Sequence, residues 1–205
     1  MSDAHEVVVV AEGRPDAEVV KQLTCLIITR DHSWIADHVD TFGQLDDVLR
    51  FRGDPASTFL SWGRVKSLAA AKNIRILRLG VGPFCAETRK ALAVANALAP
   101  LATVAVHRDQ ETVGSEGPTM RELCASHGAI FALPNPATEA WLLLAAGHPV
   151  PTTVAEAKGA VGRTGVTLQQ LTVECLGRLA LAPDAHAFVE DVRRILIPRI
   201  RRTAP

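Results

Sequence analysis

Glu12, Asp109, Glu111 and Glu139 are the side chains whose type and spacing suit one shared task, holding a divalent cation. Asp109 and Glu111 follow an apolar run in the stretch TVAVHRDQETVG. If strand geometry persists through them, residues two apart project to one side and offer two carboxylates to one point. Glu12 closes the run EVVVVAEG, which reads as a strand buried on both faces. Glu139 falls in or just past the first turn of the helix expected in NPATEAWLLL, with Asn135 as its cap and Pro136 at its first position. Converging carboxylates repel one another unless a cation neutralises them. Hard divalent cations such as Mg2+ want such oxygen donors, with water and a substrate phosphate completing the shell.

Each residue has a plainer reading. Glu12 also reads as an exposed turn residue, Asp109 and Glu111 as a solvated loop, and Glu139 as a complement to a helix dipole. His107 reads as a strand-end hydrogen-bonding residue, and Arg108 either balances the acids or binds phosphate. Gly13 is expected to allow a sharp turn that a side chain would hinder. Pro15, Asp16 and Glu18 then suit the first turn of a helix. Gly80 and Gly82 precede a helix and could cradle a phosphate, but GxGP is far from a nucleotide fingerprint. The C-terminal arginines, Arg193, Arg194, Arg199, Arg201 and Arg202, read as a solvated helix face, with phosphate-backbone binding as the alternative.

These residues need elements to place them. Apolar runs predict strands at 6–11, 24–29, 74–79, 101–106 and 129–133. Helices are expected at 15–23, from a Ser57 cap to about residue 72, at 84–98, at 118–127 and from residue 136. Residues 30–47 are polar and irregular. The alternation implies an α/β fold, a mainly parallel Rossmann-type sheet flanked by helices, whose carboxyl edge gathers ligands. After Pro151 the pattern turns wholly helical, so the expected organisation is an α/β domain at 1–150 and a helical C-terminal extension at 151–205. That extension offers a surface for a protein partner or for self-association.

The 205 residues carry 22 basic and 22 acidic side chains, 48% hydrophobic content and no tyrosine. Such a chain is globular, and neither its charge nor its 4% aromatic content suggests a broad basic or base-stacking surface. Cys25, Cys85, Cys124 and Cys175 lack metal-knuckle spacing and read as buried thiols of a reducing, cytoplasmic compartment. No run is long enough to span a membrane.

Together the acidic pieces resemble the Toprim family. AEGRPDAE places Glu12, Gly13 and Asp16 as in that family's VEG-x-x-D form. Asp109-Gln110-Glu111 resembles its DxD motif, with glutamate in the second place and Gly114 keeping a DxDxxG-like spacing. NPATEAWLLL is similar to the NP-x-x-E-x-W-x-L segment of RloB-like Toprim proteins, which are associated with bacterial defence. The resemblance covers roughly residues 6–146. It implies Mg2+- or Mn2+-dependent phosphodiester hydrolysis on DNA or RNA, in nucleic-acid processing or antiviral defence. Glu12 and Asp109 would be catalytic, and Glu12, Asp109, Glu111 and Glu139 would hold the metal. Gly13, Asp16 and Arg108 would contact substrate. The alternative is a non-catalytic Toprim-like metal- or nucleotide-binding module.

Overall fold

The valine run forms β1 (His5–Ala11), with Val7, Val8, Val9 and Val10 all at most 1% exposed. Consecutive side chains of a strand point to opposite faces, and here both faces are covered. Val7, Val9 and Ala11 enter one core cluster, whereas Val8 and Val10 enter another. The computed structural model describes residues 4–32, 45, 48–54, 57–76 and 82–200.

Among these residues the sheet has five strands, β1, β2 (Leu49–Arg52), β3 (Leu60–Ser61), β4 (Thr103–His107) and β5 (Ile130–Ala132). The order is β2-β1-β4-β5, with β3 also pairing with β1, and every pairing is parallel. The chain is therefore an α/β protein with a mainly parallel, Rossmann-like sheet flanked by helices. β2 and β3 share one edge of β1 and are joined through Gly53, where a Cβ would collide with the backbone of Phe59.

The expected strand at 24–29 is instead the second half of α1 (Arg14–Asp31). Ala17, Val20, Thr24, Ile27 and Ile28 form a buried stripe at helical spacing, and no glycine or proline interrupts residues 16–31. Burial along that stripe overrides the strand preference of Thr-Cys-Leu-Ile-Ile-Thr. The helix expected from a Ser57 cap begins at Trp62 as α2 (Trp62–Ala71), with Ser61 at the cap position. Residues 57–61 lead into and form β3, whose pairing with β1 takes precedence. Of the strand expected at 74–79, residues 74–76 carry no regular element and the rest lies outside the described residues. Most of the polar segment 30–47 is also outside them, as are Gly80, Arg201 and Arg202.

Next come α3 (Pro83–Leu98), α4 (Gln110–Val113), α5 (Gly117–Ser126) and α6 (Thr138–Ala145). The C-terminal part is helical: α7 (Val154–Thr164), α8 (Cys175–Leu179), α9 (Pro183–Asp191), a π-helical stretch at Val192–Leu196 and α10 (Ile197–Ile200). The wide turns precede Pro198, which has no N–H to donate and whose ring crowds the preceding turn. Leu176, Phe188, Val192 and Leu196 share one core cluster with Val7, Val9, Ile27 and Trp141. The C-terminal helices thus cover one face of the sheet, and α2, α3 and α5 cover the other. Among the described residues no helix is long and apolar enough to cross a membrane.

Candidate active site

The paired register Val10↔Val106, carried two residues on, sets Glu12 beside Arg108 at the carboxyl edge of β1 and β4. Arg108 is 5% exposed, and its guanidinium lies 3.7 Å from the Trp62 ring centre. Its Nη1 donates to Glu12 Oε1 at 3.0 Å and its Nη2 to Glu87 Oε2 at 2.7 Å. Trp62 Nε1 donates to the His107 carbonyl and closes the lid on this cation. Arg108 therefore acts on Glu12 and Glu87, and both terminal nitrogens are engaged by carboxylates. Trp62 is half-buried and spends its face on Arg108.

One residue below, Thr138 ties three polar side chains together. Its hydroxyl lies 2.9 Å from Asp16 Oδ1, 2.8 Å from His107 Nε2 and 3.2 Å from Asp109 Oδ1. Its backbone N–H donates to the same Asp109 oxygen at 3.0 Å. One hydroxyl proton serves one acceptor, so Thr138 donates to Asp16 and accepts from His107 Nε2–H. That tautomer leaves Nδ1 of the fully buried His107 as a bare lone pair, which costs less than an orphaned N–H. Asp16 is doubly held, because its Oδ2 accepts from the Gly13 N–H at 3.1 Å and caps α1. Asp16 and Glu12 were legible from the helix-start pattern, but no local pattern announces Thr138 as the bridge.

The electrostatics single out Asp109. Burial, then the charge of Asp16 and to a smaller degree that of Glu12, pushes its carboxyl up to about 7 against the bonds from Thr138. Burial lowers His107 to about 4, so it is neutral near pH 7 and its 3.6 Å approach to Asp109 is no ion pair there. Asp109 favours a folded state with its proton on, so its stabilising effect fades as pH rises from about 4 to 7. His107 favours a folded state with its proton off, so stability is lost as pH falls from 6.5 to about 4. The slopes oppose each other between pH 4 and 6.5. Urea midpoints of Asp109→Asn are expected to climb with pH across that window more steeply than those of the wild type. Equal slopes would remove this pair as the source.

The strand ends at His107, and Asp109 takes the N-cap position of α4, so Asp109 and Glu111 do not alternate on a strand. Glu111 is exposed and, like Glu139, makes no side-chain hydrogen bond or ion pair with the described residues. Neither acid contributes to the shift of Asp109, whereas Glu12 and Asp16 do. Asn135 does not cap α6: the helix starts at Thr138 after Ala137, and the Asn135 N–H goes to Asp184. Gly13 is extended, and a Cβ there would make ordinary contacts at 3.4 Å or more, so the backbone does not demand glycine. Gly114 does need to be glycine, at φ 52° and ψ −123°. Gly82 faces the Glu116 carboxylate, which accepts from the Cys85 N–H and occupies the start of α3 where a phosphate was considered.

Among the described residues no three His, Cys, Asp or Glu side chains are grouped to hold a metal ion. The donor set at this edge suits a smaller site. Asp16 and Asp109, drawn to one hydroxyl, offer two hard carboxylates, the number that Mg2+ takes when water and phosphate complete its shell. The cysteines are buried and form no disulfide, and burial drives the Cys124 thiol up to about 12, which removes it as a nucleophile. Comparison with protein-family models, with curated proteins and with solved structures finds no match for this chain.

Proposed function

We propose that this protein is a divalent-cation-dependent phosphodiesterase acting on nucleic acid, a small nuclease of the kind its Toprim-like motifs suggest. The observation that carries the reading is the placement of Asp109, a half-buried carboxyl bonded by the Thr138 N–H and sharing that residue with Asp16, at the carboxyl edge of adjacent parallel strands, where burial and the Asp16 charge raise it. Asp109 and Asp16 would hold the cation, with Glu12 at the same sheet edge. Once bound, the cation supplies charge stabilisation to a phosphodiester whose oxygens gain negative charge. Glu12, whose side chain is 39% exposed, is the carboxylate able to take a proton from an attacking water. Arg108 positions Glu12 and Glu87 from below, and Thr138 holds Asp16 and Asp109 in register.

One observation favours a second reading, a metal- or nucleotide-holding module without turnover: Arg108 already neutralises Glu12 within the fold. A panel of single- and double-stranded DNA and RNA incubated with Mn2+ or Mg2+ separates the two. The nuclease reading expects cleavage that EDTA stops and that Glu12→Gln reduces at least about 100-fold, the scale of losing a proton-transfer group. Cation binding without cleavage of any substrate would support the module instead.

A further inference from the structure

The opposite edge of the same sheet holds a cavity of about 710 Å3, within the range of small-molecule sites. It lies where β1 begins at His5, β4 at Thr103 and the turn at Gly128 leads into β5. At about 3.3 Å per residue, the length of β1 separates it from Glu12 by roughly 20 Å.

Its polar lining is one-sided. Arg89, Arg199, His5 and His127 face it, and none of the described lining residues carries a carboxylate. Arg193 and Arg194, on the same C-terminal helical run as Arg199, both find carboxylates. Arg199 instead donates Nη1 to the Thr103 hydroxyl at 2.9 Å. That hydroxyl is also 2.9 Å from His5 Nε2. Arg199 has no lone pair to offer, so Thr103 accepts from it. This bond aims the guanidinium, with Thr103 fully buried beneath it, and burial and the nearby Arg199 charge hold His5 below its ordinary value. Arg89 forms no ion pair with the described residues. Leu92 and Leu101 supply apolar wall, the latter 92% exposed at the rim.

Two guanidinium groups without carboxylate partners among the described residues, in one concave site, fit a dianion, and the apolar wall fits a group attached to it. We propose that this cavity binds a phosphomonoester carrying a planar or apolar group, of mononucleotide size, with Arg89 and Arg199 on the phosphate. The site is independent of the acidic edge.

Calorimetric titration of the full chain with AMP, adenosine and inorganic phosphate tests it. EDTA is present throughout, so that a cation at Asp109 cannot recruit the phosphate. AMP is expected to bind, and adenosine to bind at least roughly tenfold more weakly, the scale of a lost charge-assisted contact. Inorganic phosphate is expected to compete with AMP. Arg89→Met should weaken AMP at least roughly tenfold with an unchanged thermal midpoint. Arg199→Met should do the same, and if that variant fails to fold, Arg89→Met alone decides. Absence of AMP binding, equal binding of AMP and adenosine, or an Arg89→Met affinity equal to wild type would each overturn the proposal.

Discussion

Asp109→Asn is expected to lose divalent-cation binding while making the folded protein more stable. The asparagine keeps an oxygen for the Thr138 N–H, so that hydrogen bond survives. What disappears is a negative charge in a site where burial and Asp16 disfavour it. Above pH 7 the wild type must carry that charge against burial and the Asp16 carboxylate, and the variant does not. Isothermal titration with Mn2+ should show affinity falling more than about 100-fold, beyond what loss of an outer-shell partner costs. Urea unfolding of the metal-free proteins at pH 8 should place the variant above the wild type. Stabilisation without any change in Mn2+ binding would leave Asp109 a strained carboxyl with no cation to hold. A variant less stable than the wild type would contradict the electrostatic account itself.

Phe188→Ala is expected to cost about 3–5 kcal/mol, a large share of a typical folding stability of about 5–15 kcal/mol. Phe188 is 1% exposed in α9, and its ring centre lies 5.3 Å from that of Trp141 in α6. Trp141 in turn donates Nε1 to Asp184 at 2.6 Å, at the start of α9. The truncation therefore opens a cavity between the C-terminal helices and the helix that begins with Thr138. The site should weaken together with the fold, because Thr138 carries the bridge between Asp16 and Asp109. Chemical unfolding followed by tryptophan fluorescence checks this. A loss near 1 kcal/mol or less, below the usual range for such truncations, would mean that α9 sits on the sheet without sharing its core.

Much of the layout was legible from short-range pattern. A run of four valines has few other fates than a strand covered on both sides, and its abrupt change to Glu12-Gly13-Arg14-Pro15 marks both the edge and the next helix. The same reasoning located Asp109 after β4 and Asp16 in the first turn of α1. Where the sequence misled, two local readings competed. Residues 24–29 have strand composition and helical spacing together, and packing against Val7 and Val9 decided for the helix. Asp109 and Glu111 would share a side on a strand, but Asp109 turns the chain into α4 and leaves Glu111 in solvent. The Gly82 turn looked ready for an anion and already has one, Glu116, from a different part of the chain.

Local sequence was enough for an α/β sheet in which two strands run into acids, at Glu12 and Asp109, because burial and turn chemistry act on neighbouring residues. It could not determine which acids share a charge environment. That depends on Thr138 reaching Asp16 across 122 residues and His107 across 31, and on Arg108 drawing Glu12 and Glu87 to one guanidinium. Such contacts are set when β4 docks on β1 and α6 packs under both. Electrostatic repulsion and desolvation then depend on distance in space, which tertiary structure alone supplies.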